Sequence, residues 1–242
     1  MTRARVYFTV AELEPADVQG GTVVVVDVLR ATSTIVEALA AGARAVYPTV
    51  GSEEALKLAS SLGREDTLLC GERKGLKIEG FDLGNSPLEF TPERVDGKRL
   101  VMSTTNGTRA FHAAGQADRI VAASLLNLGA AAGAVAGEED LVVLCAGRED
   151  RFSLDDAVCA GLILEHALGG REGAPELDDG ARAALSLARD VTPDWAFLRS
   201  VAAGRALIDI GLAGDVEHCA HRDLHVIVPE MQDRMIRIRD GS

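Results

Sequence analysis

From Arg5 to about Gly170 the chain alternates short apolar runs with longer Ala- and Leu-rich stretches, and this alternation limits the fold more than any other feature. The runs have strand length: "RVYFTV", "TVVVVDV", "RAVYPTV", "DTLLCG", "KRLVMS", "DRIVAAS" and "DLVVLCAG". Between them, "STIVEALAAGA", "SEEALKLASSLG", "NGTRAFHAAG", "NLGAAAGAVAG" and "SLDDAVCAGLILEHALGG" carry apolar residues at helical spacing and stop at or beside glycines. Such alternation predicts βα units, a largely parallel or mixed sheet, and helices on both of its faces. The expected class is α/β, in three layers α/β/α.

The last third reads differently. "REGAPELDDG" is an acidic loop, residues 180–213 read as two or three helices, and "DLHVIVPEM" with "RMIRIRD" as an antiparallel strand pair. "VDVLRATSTIVEALAAGARAV" and "VMSTTNGTRAFHAAGQADRIV" echo each other as strand, polar turn, helix and strand, which allows two sub-lobes. The expected organisation is one domain over residues 1–242, with its motifs in about 22–165 and a helical segment plus strand pair in 166–242.

Composition narrows the function. The chain of 242 residues has a formal net charge of −12, so nucleic acid is not an expected partner, because phosphate-backbone binding needs a basic face. A local Arg/Lys cluster still admits a small anion. No run approaches a membrane span of about 18 residues, and no signal-peptide core opens the chain. Cys70, Cys145, Cys159 and Cys219 are scattered without a CxxC pair, which reads as reduced thiols in a cytoplasmic protein. A homodimer is the expectation from what is usual for such enzymes.

The chemistry collects where strands end. "TVVVVDVLRATST" passes from a dry valine run to Asp27, Arg30, Thr32, Ser33 and Thr34; "TLLCG" ends at Glu72, Arg73 and Lys74; "RLVMS" ends in Ser103–Arg109; "LVVLCAG" ends at Arg148, Glu149 and Asp150. Ligands of open α/β sheets bind outside carboxyl strand ends, so these groups are expected to converge on one edge. "STTNGT" leads into a helix N-terminus and reads either as an anion cradle of bare amides or as a tight structural turn. Arg30, Arg148 and Lys74 supply positive charge for a phosphate or sulfonate. Asp27, Glu72, Asp155 and Asp156 would crowd an anion unless a divalent metal such as Mg²⁺ joined them, although acids beside Ser153 also suit a helix start.

The residues bear on three known phosphate chemistries. No P-loop motif is present. "DVLRAT" has Leu29 where a haloacid-dehalogenase-type site needs a second Asp. "CAGREDR" has Cys-x5-Arg spacing, but Glu149 and Asp150 oppose a Cys145 nucleophile.

Taken together, "VVVVDVLRATSTI", "GERKGLKIEGFDLGNSPLEF", "STTNGTRA", "SLLNLGA" and "CAGREDRFSLDDAVCAG" resemble the 2-phosphosulfolactate phosphatases, the ComB family of coenzyme M biosynthesis. The resemblance implies an α/β fold particular to that family, and Mg²⁺-dependent hydrolysis of 2-phospho-3-sulfolactate to 3-sulfolactate and phosphate. Ser33 and Asp155 stand where the family has Thr and Glu. The expected catalytic residues are Asp27, Arg30 and Asp156, and the expected metal ligands Asp27, Glu72 and Asp155. The expected substrate contacts are Thr32, Lys74, Asn85, Ser86, Thr104, Thr105, Asn106, Gly107, Thr108 and Arg148. Glu72 to Phe90 reads as a structureless lid with Gly75, Gly80 and Gly84 as hinges. Arg30 and "STTNGT" are expected to hold one anion, and Arg148 with the lid's Lys74 and Lys77 the other. Another small phosphomonoester, or anion binding without turnover, are the alternatives.

Overall fold

The valines of "TVVVV" form β2 (Thr22–Val26), which is buried along its length and pairs in parallel with β7 (Arg119–Ala123) and β8 (Asp140–Cys145). The computed structural model describes residues 2–170 and 174–239. Its other strands are β1 (Arg3–Tyr7), β3 (Ala45–Pro48), β4 (Thr67–Arg73), β5 (Leu76–Lys77), β6 (Arg99–Ser103), β9 (Glu176–Leu177), β10 (Pro229–Gln232) and β11 (Met235–Ile238). The helices are α1 (Ala31–Ala40), α2 (Ser52–Leu62), α3 (Pro92–Val95), α4 (Gly107–Ala113), α5 (Leu128–Ala134), α6 (Leu154–Leu168), α7 (Asp179–Asp190), α8 (Trp195–Leu198), α9 (Ala202–Asp209) and α10 (Ala213–Cys219). Among the described residues the strands make one 11-stranded sheet in the order β5-β4-β6-β3-β11-β10-β7-β2-β8-β1-β9. No helix among them is long and apolar enough to cross a membrane.

The sheet has two parallel halves. β4, β6 and β3 are mutually parallel, as are β7, β2, β8, β1 and β9. The hairpin of β10 and β11 lies between them, antiparallel to itself, to β7 and to β3. Three antiparallel steps reverse the sense, so the halves point in opposite directions. The polar ends of β2 and β8 therefore leave one edge and those of β4 and β6 the other, not the single edge expected.

They meet nonetheless, because both halves wrap the same two helices. α1 carries the chain from β2 in one half to β3 in the other, and α4 returns it from β6 to β7. One apolar cluster joins Ile35 and Leu39 of α1 and Phe111 of α4 to Val23 and Val25 of one half and to Leu100 and Met102 of the other. Alternate residues face outward, as strand geometry requires. Val24 and Val26 pack in a cluster with α5, α6 and α7, and Leu69 and Val101 in one with α2. Each half thus has helices on both faces, the three-layer α/β/α arrangement.

Three local expectations are corrected. The acidic loop is not all loop: Arg171, Glu172 and Gly173 lie outside the described residues, but Glu176–Leu177 add β9 to β1, and Asp178 caps α7 by accepting from the Ala181 amide at 2.6 Å. Residues 180–213 hold the expected three helices, α7, α8 and α9, with α10 added after them, whereas "DLHVIVPEM" is strand only from Pro229; Asp240 of "RMIRIRD" lies outside the described residues. The run from Glu72 to Phe90 is not a structureless lid. β5 folds back on β4, Asp82 accepts the Leu69 amide at 2.7 Å, and Phe81 and Leu83 are buried. Those apolar anchors make it a fixed wall, with Lys77 exposed on its outside.

Candidate active site

Where the strand ends meet, a cavity of about 280 Å³ opens, lined among others by Asp27, Arg30, Glu72, Lys74, Asn85, Thr104, Thr105, Asn106, Arg148, Asp155 and Asp156. The structure brings these predicted residues together and leaves Thr32, Ser86, Gly107 and Thr108 out of the lining. The three hydroxyls among them have other partners. Thr32 bridges the Asp27 backbone, its hydroxyl 2.9 Å from the Asp27 amide and 2.8 Å from the Asp27 carbonyl, and so sets the turn from β2 into α1. Its neighbours do similar work: Ser33 donates to the Val28 carbonyl and Thr34 to the Asn85 carbonyl. Ser86 donates to Asp215 at 2.6 Å. Thr108 and Thr104 brace the start of α4 reciprocally, each hydroxyl accepting the other's amide.

The "STTNGT" turn is therefore a cradle only in part, because three of its amides are engaged within the protein. The Thr105 amide is taken by Glu72 at 2.7 Å, and those of Thr104 and Thr108 by each other's hydroxyls. Gly107 is small for a different reason. A Cβ there would collide with the Ala31 Cβ and lie 2.6 Å from Asp27 Oδ2. Glycine lets the ends of α1 and α4 close on Asp27.

The carboxylates divide into two kinds. Asp156 accepts the Val28 amide at 2.8 Å and the Gly147 amide at 3.1 Å, tying the ends of β2 and β8 together. Both its oxygens are so engaged while it lines the cavity, so the geometry gives it a positioning role beside the expected catalytic one. Glu72 likewise accepts the Thr105 and Gly75 amides, both at 2.7 Å. Asp155, 3% exposed, accepts from the Ser153 hydroxyl at 2.6 Å and from backbone amides at the start of α6. Asp27 is buried, and its carboxyl accepts the Ala31 amide at the start of α1. Burial first, then the charges of Asp155 and Glu72, push it up to about 7. Burial also raises Asp155, and raises Asp156 with the help of Asp155 and Asp27. Among the described residues no group of three or more His, Cys, Asp or Glu is placed to hold a metal ion by itself, so Asp27, Glu72 and Asp155 are not a ready-made ligand set.

Two buried polar atoms at the cavity have no partner: Asn85 Oδ1 and Thr105 Oγ1. Buried polar atoms are normally satisfied, so these point to a ligand. Lys74 (φ 52°) and Glu149 (φ 52°) hold left-handed backbone at the rim, strain of the kind that gathers at functional sites.

The model of the 2-phosphosulpholactate phosphatase family matches residues 7–234. The chain belongs to this family. It is 43% identical over 220 residues to a protein of Symbiobacterium thermophilum, covering 90% of this chain and 94% of that one. A protein of Thermotoga petrophila is 41% identical over 220 residues, covering 90% and 92%. One of Caldanaerobacter subterraneus subsp. tengcongensis is 38% identical over 233 residues, covering 96% of each. All three are named probable 2-phosphosulfolactate phosphatase.

A family of phosphatases need not use a thiol, and here the thiols are unsuited to attack. All four cysteines are free and buried, and burial raises Cys145 well above the usual thiol range. Iodoacetamide at neutral pH is expected to leave phosphate release unchanged, checked by assay before and after treatment of the folded protein.

Sequence reasoning missed one wall of the cavity and one partner. The wall is α9, with Ala203, Ala206 and Leu207 in the lining beside Ile210 just past its end. Their spacing, i, i+3, i+4 and i+7, was a legible apolar stripe. The partner is Asp215 on α10, paired with Arg30 at 2.6 Å, and no motif announces it.

Proposed function

We propose that this protein hydrolyses 2-phospho-3-sulfolactate to 3-sulfolactate and phosphate with Mg²⁺ as cofactor, the phosphatase step that serves coenzyme M biosynthesis. The observation that carries the reading is the charge of the cavity. Asp27, Glu72, Glu149, Asp155 and Asp156 oppose Arg30, Lys74 and Arg148, five carboxyl groups against three cations, and Asp27, Asp155 and Asp156 resist carrying their charges together. A multiply anionic phosphosulfonate does not enter such a site alone, whereas one bringing a divalent cation does. Mg²⁺ asks for one or two carboxylates, with waters and phosphate oxygens completing its shell. Asp27 and Asp155 fit that demand, and the orphaned Asn85 Oδ1 offers a further oxygen beside them.

When bound, Mg²⁺ supplies charge stabilisation at the phosphoryl oxygens. Arg30 faces the same group and adds fixed positive charge, and Thr105 Oγ1 offers a donor. Lys74 and Arg148 stand at the rim for the sulfonate and carboxylate. Ala203, Ala206, Leu207 and Ile210 close the far side with apolar surface that sheds water. Burial raises Asp27 to about 7, and a metal ion held beside it would favour its charged form.

The test is phosphate release from synthetic 2-phosphosulfolactate and from a panel of unsulfonated phosphomonoesters, with Mg²⁺ and with EDTA. Turnover that needs Mg²⁺ and prefers the sulfonated ester supports the reading. Preference for another ester would keep the chemistry and discard the substrate; binding without release would make it an anion-binding protein. Lys74→Ala and Arg148→Ala are each expected to raise KM for the sulfonated ester by about 10-fold or more, the size of a lost charge-assisted contact. Their kcat values should change far less, and KM for an unsulfonated ester should barely move.

A further inference from the structure

Arg30 is held from two sides. Its Nη1 donates to Asp215 Oδ2 at 2.6 Å and its Nη2 to the Gly75 carbonyl at 2.8 Å. The Arg30 and Asp215 side chains are 3% and 4% exposed. Asp215 is held in turn, because Ser86 donates to its other oxygen at 2.6 Å. One carboxylate thus joins three separate parts of the chain: the start of α1, the wall between β4 and α3, and α10. A second contact fixes how α10 lies on α1, since His218, one turn beyond Asp215, meets Glu37 at 3.0 Å.

A buried ion pair of this kind is a poor source of stability, because desolvating both charges offsets their attraction. It is a good source of orientation. A guanidinium is a rigid planar fork on a flexible stem, and two fixed acceptors define the plane of that fork. Rate depends on charge that is already in place when the transition state forms.

We propose that Asp215 is a positioning residue that orients Arg30 toward the phosphoryl group, which makes α10 part of the active site. This rests on the phosphatase reading above. Asp215→Asn keeps the shape and an acceptor for Ser86 but removes the charge that holds Arg30. With Mg²⁺ and 2-phosphosulfolactate, its kcat is expected to fall by about 30-fold or more while KM changes by less than about 3-fold, since the interaction matters in the transition state.

The deciding readout is a double-mutant cycle with Arg30→Met. If Asp215 acts through Arg30, adding Asp215→Asn to Arg30→Met lowers kcat by less than about 3-fold. Losses that multiply in the double variant, or an unchanged kcat in the single, would overturn the proposal. Ser86→Ala, which frees Asp215 without removing a charge, is run in the same cycle and decides the matter if Asp215→Asn does not fold.

Failure of the substrate reading shows itself separately, as a wild type inactive on the sulfonated ester. The cycle then uses whichever panel ester is hydrolysed. If none is, thermal stabilisation by vanadate with Mg²⁺, which takes the trigonal-bipyramidal shape of the phosphoryl transition state, replaces kcat. It should drop alike in Asp215→Asn, Arg30→Met and the double variant, and a further drop in the double would overturn the proposal.

Discussion

Asp27→Asn is expected to lower kcat by roughly 10²–10⁴-fold, the range for loss of a proton-exchanging or charge-bearing catalytic group, and yet to stabilise the folded chain at pH 8. The second half follows from linkage. The folded Asp27 titrates at about 7 against an ordinary value of 3.8. Between those values the folded chain binds more protons than the unfolded one, so stability is full below the unfolded value and falls as pH rises through the folded one. A shift of this size corresponds to something on the order of 4 kcal/mol. Asparagine has the same shape and no charge to bury, so the variant escapes that loss. Thermal unfolding of both proteins at pH 5 and pH 8 checks it: the variant should lie above at both, by a clearly smaller margin at the lower pH, where less of the loss has accrued. Mg²⁺ should close the gap at pH 8 by raising the wild type alone. Parallel pH curves would show that Asp27 is not perturbed, and equal stabilisation of both by Mg²⁺ would remove Asp27 from the metal site.

Gly107→Ala is expected to cost both folding stability and turnover. The added methyl meets the Ala31 Cβ and the Asp27 carboxylate, 2.6 Å from Oδ2. Neither neighbour is the end of a flexible side chain that swings away. The starts of α1 and α4 must separate, and inserting a methyl into packed structure of this kind costs about 1–3 kcal/mol. The same separation displaces Asp27 and Arg30, so kcat falls even in the fraction that folds. Chemical denaturation and steady-state kinetics on the purified variant measure the two effects. A cradle of bare amides at "STTNGT" makes the opposite demand, weaker anion binding with stability intact, and that result would return Gly107 to the substrate site.

The contrast between Gly107 and Asp27 shows what was legible. Asp27 stood out because a carboxylate at the end of "TVVVV" has no apolar explanation, and burial in the structure is what perturbs it. Thr105 and Arg148 were readable in the same way, as polar groups at strand ends, and Asn85 as a polar group of the Glu72–Phe90 run. Thr32, Ser86 and Thr108 were also polar and near those ends, but their hydroxyls are satisfied by backbone or by Asp215 and turn from the cavity. Hydroxyl side chains carry no sequence mark that separates a group serving its own turn from one serving a ligand.

The period-2 and period-3.6 patterns, the valine-rich strands and the crowding of carboxylates with arginines at their ends are local properties, and they determined the α/β class and most of the site's membership. The tertiary structure alone decided that the β10–β11 hairpin separates two oppositely directed half-sheets, that α1 and α4 draw their ends together, and that Asp215 reaches back to Arg30. Periodicity reports which face of an element is buried. It says nothing of which distant element buries it, and the charge on Arg30 is placed by a residue 185 positions away.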